Sequence, residues 1–138
     1  MWVEPWGENS LRVRATRMMK MDDSPLMQWA LLAPQETRCD IRINGDAATI
    51  TNGKLTAIID RIGKITFYNQ AGAILLEEFK RTKEDMSGFC LDLNIQPREF
   101  TPHLGGDYSL CVRFEAVDGE RLYGMGQYQQ PCHDLKGC

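Results

Sequence analysis

Three amides, a phenol, an imidazole and a carboxylate fall close together at Gln127, Tyr128, Gln129, Gln130, His133 and Asp134. Amides and carboxylates pair with sugar hydroxyls, and an aromatic ring covers a sugar's C–H face. The stretch therefore reads as a set of carbohydrate contacts carried on a loop. The same residue types also populate ordinary surface loops, so composition leaves both readings open. Just ahead of it stand Tyr123, Gly124 and Gly126. Gly124-Met-Gly126 has neither the third glycine of a dinucleotide fingerprint nor the Gly-Lys-Ser/Thr ending of a phosphate loop. It reads as a tight structural turn with close backbone approach.

Other groups that could do chemistry read as ordinary structure. Asp22-Asp23 and Glu77-Glu78 are adjacent carboxylate pairs, and glycoside hydrolysis does use two carboxyl groups. Neighbours on a strand point to opposite faces, however, so both pairs are expected on solvated surface. Cys132, His133 and Cys138 are close in sequence, but no zinc-type spacing links them to Cys39, Cys90, Cys111 or His103. No metal and no other cofactor is expected. Cys132-His133 is no nucleophile pair by adjacency alone, because catalytic partners meet in space beside a third, orienting group. Arg12, Arg14 and Arg17 alternate with smaller residues and read as the wet face of a strand, not as a phosphate site.

Composition narrows the function classes further. The 138 residues carry a net charge of -3, with 43% apolar and 25% charged residues, as in an ordinary globular chain of one domain. Nothing basic enough for nucleic acid is visible. The longest apolar run, Trp29-Ala-Leu-Leu-Ala33, is far short of the ~20 residues of a membrane helix. The N-terminus lacks the basic start and apolar stretch of a secretory signal. Five scattered cysteines without a Cys-x-x-Cys pair fit reduced thiols, so the expected location is cytoplasmic.

Placing the loop requires a scaffold, and the scaffold's period is two. Leu11, Val13 and Ala15 alternate with arginine and threonine, and Cys39, Ile41 and Ile43 with Arg38, Asp40 and Arg42. Leu55, Ala57 and Ile59 continue the pattern, as do Phe89, Leu91, Leu93 and Ile95, then Leu110, Val112, Phe114 and Ala116. Each run buries one face and wets the other. Asn44-Gly45-Asp46 reads as a turn preceding a strand, and Asn52-Gly53 as a two-residue hairpin turn, both of whose positions tolerate positive φ. Breaks also fall at Ile62-Gly63, Asn69–Gly72, Gly105-Gly106 and Asp118-Gly119. Leu75–Asp85 reads as a strand end entering a polar connection, and Pro25–Pro34 as a buried segment. The sum is an all-β, antiparallel β-sandwich in a single domain over residues 1–138.

Phe114-Glu-Ala-Val-Asp-Gly-Glu-Arg-Leu-Tyr-Gly-Met-Gly-Gln127 resembles the Glu-x-x-Tyr-Gly-x-Gly-Glu/Gln signature in the amino-terminal region of glycoside hydrolase family 31. Asp134-Leu-Lys-Gly137 is similar to its α-xylosidase-like form. Trp6–Thr16, Asn52–Asp60 and Ile65–Asn69 are similar to the family's opening strand and central hairpin. The resemblance implies a galactose-mutarotase-like sandwich, here incomplete, normally packed on a (β/α)8 barrel that carries the catalytic aspartates. No barrel is expected in this chain, hence no catalytic residue. It implies a parent enzyme hydrolysing α-glucosides or α-xylosides, to whose substrate site the 127–134 loop contributes. Alternatives are a stand-alone carbohydrate-binding module, with Trp2, Trp6, Trp29 and Tyr128 as candidate stacking residues, and a purely structural or interaction domain. Unpaired strand edges would favour self-association.

Overall fold

The computed structural model describes residues 1–24, 31–81 and 94–123. Every regular element in them is a strand. β1 (Trp2–Pro5) and β2 (Leu11–Arg14) form a hairpin. A five-stranded antiparallel meander follows: β3 (Cys39–Asn44), β4 (Ala47–Asn52), β5 (Leu55–Ile59), β6 (Ile65–Tyr68) and β7 (Ile74–Glu77), neighbours in sequence being neighbours in space. β8 (Arg98–Pro102) and β9 (Tyr108–Val112) form a third hairpin.

Register puts the expected apolar residues on one face of the meander. Ile41, Ile50, Ala57 and Phe67 stand in one cross-strand row, and Ile43, Ala48, Ile59 and Ile65 in the next. The opposite face carries Asp40, Arg42, Thr49, Thr51 and Thr56, with Thr51 and Thr56 sharing a hydroxyl hydrogen bond of 3.1 Å. Val3 and Leu11 of the first hairpin lie on the apolar face and, with Cys39, Ile59 and Phe67, cover a small core of Ile50, Ala57 and Ile65. These are the two packed layers of a sandwich.

The β4–β5 turn sits one residue later than the Asn52-Gly53 reading has it, while the β3–β4 turn falls within Asn44-Gly45-Asp46 as expected. Asn52 pairs with Leu55 and Asn44 with Ala47, so the loop residues are Gly53-Lys54 and Gly45-Asp46. Only the glycines take positive φ, +59° at Gly53 and +50° at Gly45. Asn52 is instead a buried strand residue. Its amide donates to the carbonyls of Gly7 and Ser10, each at 2.7 Å, while Asn9 Oδ1 accepts from the Lys54 N–H at 2.6 Å. The turns of the first hairpin and of β4–β5 thus clasp each other, with Gly53 between them. A Cβ on Gly53 would lie 2.2 Å from Asn9 Oδ1.

Three further expectations change. Leu31 and Leu32 are 45% and 90% exposed, so that end of the 25–34 segment is not buried, and 25–30 lie outside the described residues. Of the arginine row Arg17 is exposed as expected, but Arg12 and Arg14 are not on a wet face. The Arg12 guanidinium lies 4.4 Å over Trp6 and that of Arg14 5.0 Å over Trp2, and both arginines pair with Glu4 from β1. Arg14 also pairs with Asp23. Glu78 is not surface either, being 3% exposed. A bulge at Phe67/Tyr68 interrupts the β6–β7 pairing, and past the end of β7 the Glu78 side chain turns into the sheet. One of its oxygens accepts from the Ile65 N–H at 2.8 Å and the other pairs with Arg98 of β8. Of the run expected over 89–96, residues 89–93 lie outside the described residues, and Ile95 bridges to Arg81.

A groove beside the base of the candidate loop

The chain that leads toward residues 127–134 is held by the meander's last strand. Beyond β7, Glu78 bridges antiparallel to Phe114, with Phe79 N donating to Arg113 O and Glu115 N to Glu77 O at 2.9 and 2.8 Å. The sequence permits this extension because Glu77-Glu78-Phe79 and Arg113-Phe114-Glu115 contain neither proline nor glycine, so every N–H can enter the ladder. The chain then turns at Asp118-Gly119, where Gly119 has a φ of +78°. Glu120 N closes the turn on Val117 O at 3.2 Å.

An open groove of about 710 Å³ runs along this junction. One wall is apolar, from Ile74, Leu75 and Leu76, which are 55%, 55% and 38% exposed. The other holds Arg81, Glu115, Asp118 and Glu120. Arg81 grips Glu115 with two guanidinium nitrogens, at 2.5 and 3.1 Å, and lies 4.2 Å over the ring of Phe79. That hydrogen bonding holds the Glu115 carboxyl below its ordinary pKa, burial opposing it. Glu77 pairs with Lys64 at 2.5 Å. A general acid for glycoside cleavage needs the opposite shift, a carboxyl that keeps its proton near neutrality. Glu115 is thus placed to fix the junction, not to supply a glycosidase acid.

Of the sequence-predicted site, Tyr123 is described and is 55% exposed. Gly124, Gly126, Gln127, Tyr128, Gln129, Gln130, His133 and Asp134 lie outside the described residues. Among the stacking candidates, Trp2 and Trp6 each have a ring face occupied by an arginine, and the Trp6 indole N–H donates to Leu32 O at 3.1 Å. Trp29 and Tyr128 are not described. Asp22 is a turn residue whose carboxylate accepts from the Ser24 backbone N–H at 2.8 Å, which lowers its pKa. Cys39 and Cys111 are free thiols. Among the described residues no cluster of histidine, cysteine and carboxylate has the makings of a metal site, and no helix is long and apolar enough to cross a membrane. Sequence reasoning missed the Arg81–Glu115 grip and the Glu78–Arg98 pair. Their partners are 34 and 20 residues apart, and no local pattern connects them.

No family model matches the chain. An uncharacterized family 31 glucosidase, ORF2, of Pseudescherichia vulneris is 43% identical over 145 residues, covering 99% of this chain and 27% of that protein. Among solved structures, a GH31 α-xylosidase from a soil metagenome, crystallised with xylose, matches with a TM-score of 0.82 and 41% identity over 99% of this chain. It is matched over 21% of its own length. The chain therefore spans between a fifth and somewhat over a quarter of the relatives it resembles.

Proposed function

We propose, for a chain homologous over 99% of its length to family 31 glycosidases, that it is the non-catalytic amino-terminal β-sandwich of such an enzyme, of galactose-mutarotase-like type. Its role is to present the 127–134 loop to an α-glucoside or α-xyloside bound on the enzyme's catalytic barrel. One observation carries the reading. Nearly all of this chain matches a sugar-bound α-xylosidase at 41% identity while accounting for 21% of its length. The rest of such an enzyme is then where a barrel and its paired carboxyls belong, and Glu4, Glu77, Glu78, Glu99 and Glu115 here are engaged in ion pairs instead. Gln127, Gln129 and Gln130 would donate to and accept from sugar hydroxyls, Tyr128 would cover a pyranose face, and His133 and Asp134 would orient the bound sugar. The Gly119 turn and the Arg81–Glu115 grip anchor the chain entering that loop.

A stand-alone carbohydrate module is the weaker reading, because arginines already occupy ring faces of Trp2 and Trp6. The discriminating experiment exchanges this chain for the matching region of the soil-metagenome α-xylosidase. The chimera should fold and cleave an aryl α-xyloside, while the isolated chain should cleave none. Gln129→Ala with Gln130→Ala in the chimera should raise KM several-fold. Hydrolysis by the isolated chain, or a folded chimera whose KM and kcat ignore those substitutions, would overturn the proposal.

A further inference from the structure

β3 is an edge strand, and its outward side pairs with no described residue. The two-residue turn at Gly45-Asp46 makes Asn44 and Ala47 a hydrogen-bonded pair, and such pairs alternate along an antiparallel ladder. Arg42 and Asp40 therefore spend their N–H and C=O groups on β4. The outward-facing backbone groups belong to Cys39, Ile41 and Ile43. Ile41 and Ile43 are 56% and 75% exposed, and they open onto an apolar hollow of 290 Å³ that also takes in Val3, Ile50 and Ile59. Exposed edges with apolar side chains invite another strand, and charged residues are the usual guard against one.

Here the guard is self-complementary. We propose that β3 pairs with the β3 of a second copy of this chain, antiparallel and centred on Ile41. In that register Ile41 faces its own counterpart, and Cys39 faces Ile43. The outward N–H and C=O groups of all three meet in hydrogen-bonded pairs. Asp40 then stands opposite the Arg42 of the other copy, twice by symmetry, at the closely spaced non-hydrogen-bonded positions where side chains touch best. Within one chain Asp40 and Arg42 already hold each other, at 2.6 Å, on a side of the strand where they are 55% and 73% exposed. The pairing exchanges those two contacts, one in each copy, for two across the junction and builds one continuous ten-stranded sheet from two five-stranded ones. The contact is isologous and closed, so it stops at two copies.

Sedimentation equilibrium on the 138-residue chain, from about 1 to 200 µM, tests it. The chain should dimerise. Asp40→Arg places arginine against arginine, and Arg42→Asp places aspartate against aspartate. Each should weaken the dimer by about tenfold or more, from two cross-strand pairs turned repulsive. Mixing the two variants should restore association as a heterodimer, because each then meets its opposite charge, and the double variant should dimerise alone. Circular dichroism of each variant checks that it is folded. A chain that stays monomeric throughout, or charge variants that dimerise as well as the original and do not prefer each other, overturns the proposal.

Discussion

Replacing Glu78 with alanine should be among the most damaging single changes available in this chain. Glu78 is 3% exposed, and its carboxylate does the work of a backbone carbonyl. Glu78 N donates to Ile65 O at 3.0 Å, yet the Ile65 N–H is answered by the Glu78 side chain at 2.8 Å. The same carboxylate pairs with Arg98, whose other terminal nitrogen donates to Gly63 O. Alanine leaves the N–H of a fully buried isoleucine without this acceptor and strips the counter-charge from a guanidinium that is only 15% exposed. Breaking a buried pair from one side costs about 3–5 kcal/mol, and the residual exposure of Arg98 puts the expectation near the lower end, at about 3 kcal/mol. Glu78→Gln keeps an acceptor and loses the charge, so its cost should be smaller, about 1.5–2 kcal/mol. In urea melts with a slope of about 1.5 kcal/mol per molar, the midpoints should fall by about 2 M and 1 M respectively. If the alanine variant is unfolded without denaturant, the glutamine variant still gives the reading. Arg98→Met should cost a similar amount, and the double variant little more than either single one. A Glu78→Ala cost below about 1 kcal/mol at unchanged slope, or a glutamine variant worse than alanine, would refute the reasoning.

Gly53→Ala should lose about 2–3 kcal/mol in a thermal melt, combining a left-handed backbone at φ +59° with displacement of Asn9 from the Lys54 N–H. Adding Asn9→Gly, which accepts the φ of +56° at that position, should then cost little extra, since the clash and the hydrogen bond are the same contact. Acid should loosen the groove. The Glu115 pKa is lowered in the folded chain, so its stabilisation is full above the unfolded value of 4.5 and fades as pH falls through the folded value. Glu115→Gln should therefore be less stable at pH 7 and show a shallower loss below pH 4.5, read from melting temperature against pH.

The strands that the sequence displays are those that keep a period of two. Leu55–Ile59 alternates because Ala57 packs inward while Ile58 meets water. Cys39–Asn44 and the run beginning at Leu110 keep the period although Ile41, Ile43, Leu110 and Val112 stay exposed on their apolar side. β1 and β8 are hidden from that reading. Val3, Glu4 and Pro5 are all half-buried, so β1 has no polar face, and Arg98-Glu-Phe-Thr-Pro places its most buried partner on an arginine. Arg12 and Arg14 misled for a related reason. Their charge says water, but an indole face and the Glu4 carboxylate hold each guanidinium against the first hairpin. Asn52 shows the limit on the local side. Asn-Gly announces a turn correctly, yet which residue enters it depends on carbonyls at positions 7 and 10, about 40 residues earlier. At the candidate loop, composition and resemblance supply the reading, and Tyr123 is its one described member.

The clasp between the first hairpin and the β4–β5 turn also orders events in time. β1 and β2 leave the ribosome before the meander, but a lone two-stranded hairpin is marginal in water. Its fasteners, Asn52 and the Lys54 N–H, lie 42 to 45 residues downstream of the groups they hold. At about 5–20 residues per second of synthesis, the hairpin waits roughly 2–9 seconds for them. The meander, by contrast, pairs each strand with the one just made and closes only short loops. Assembly therefore proceeds from the meander outward, and the hairpin made before it is among the later elements to be secured.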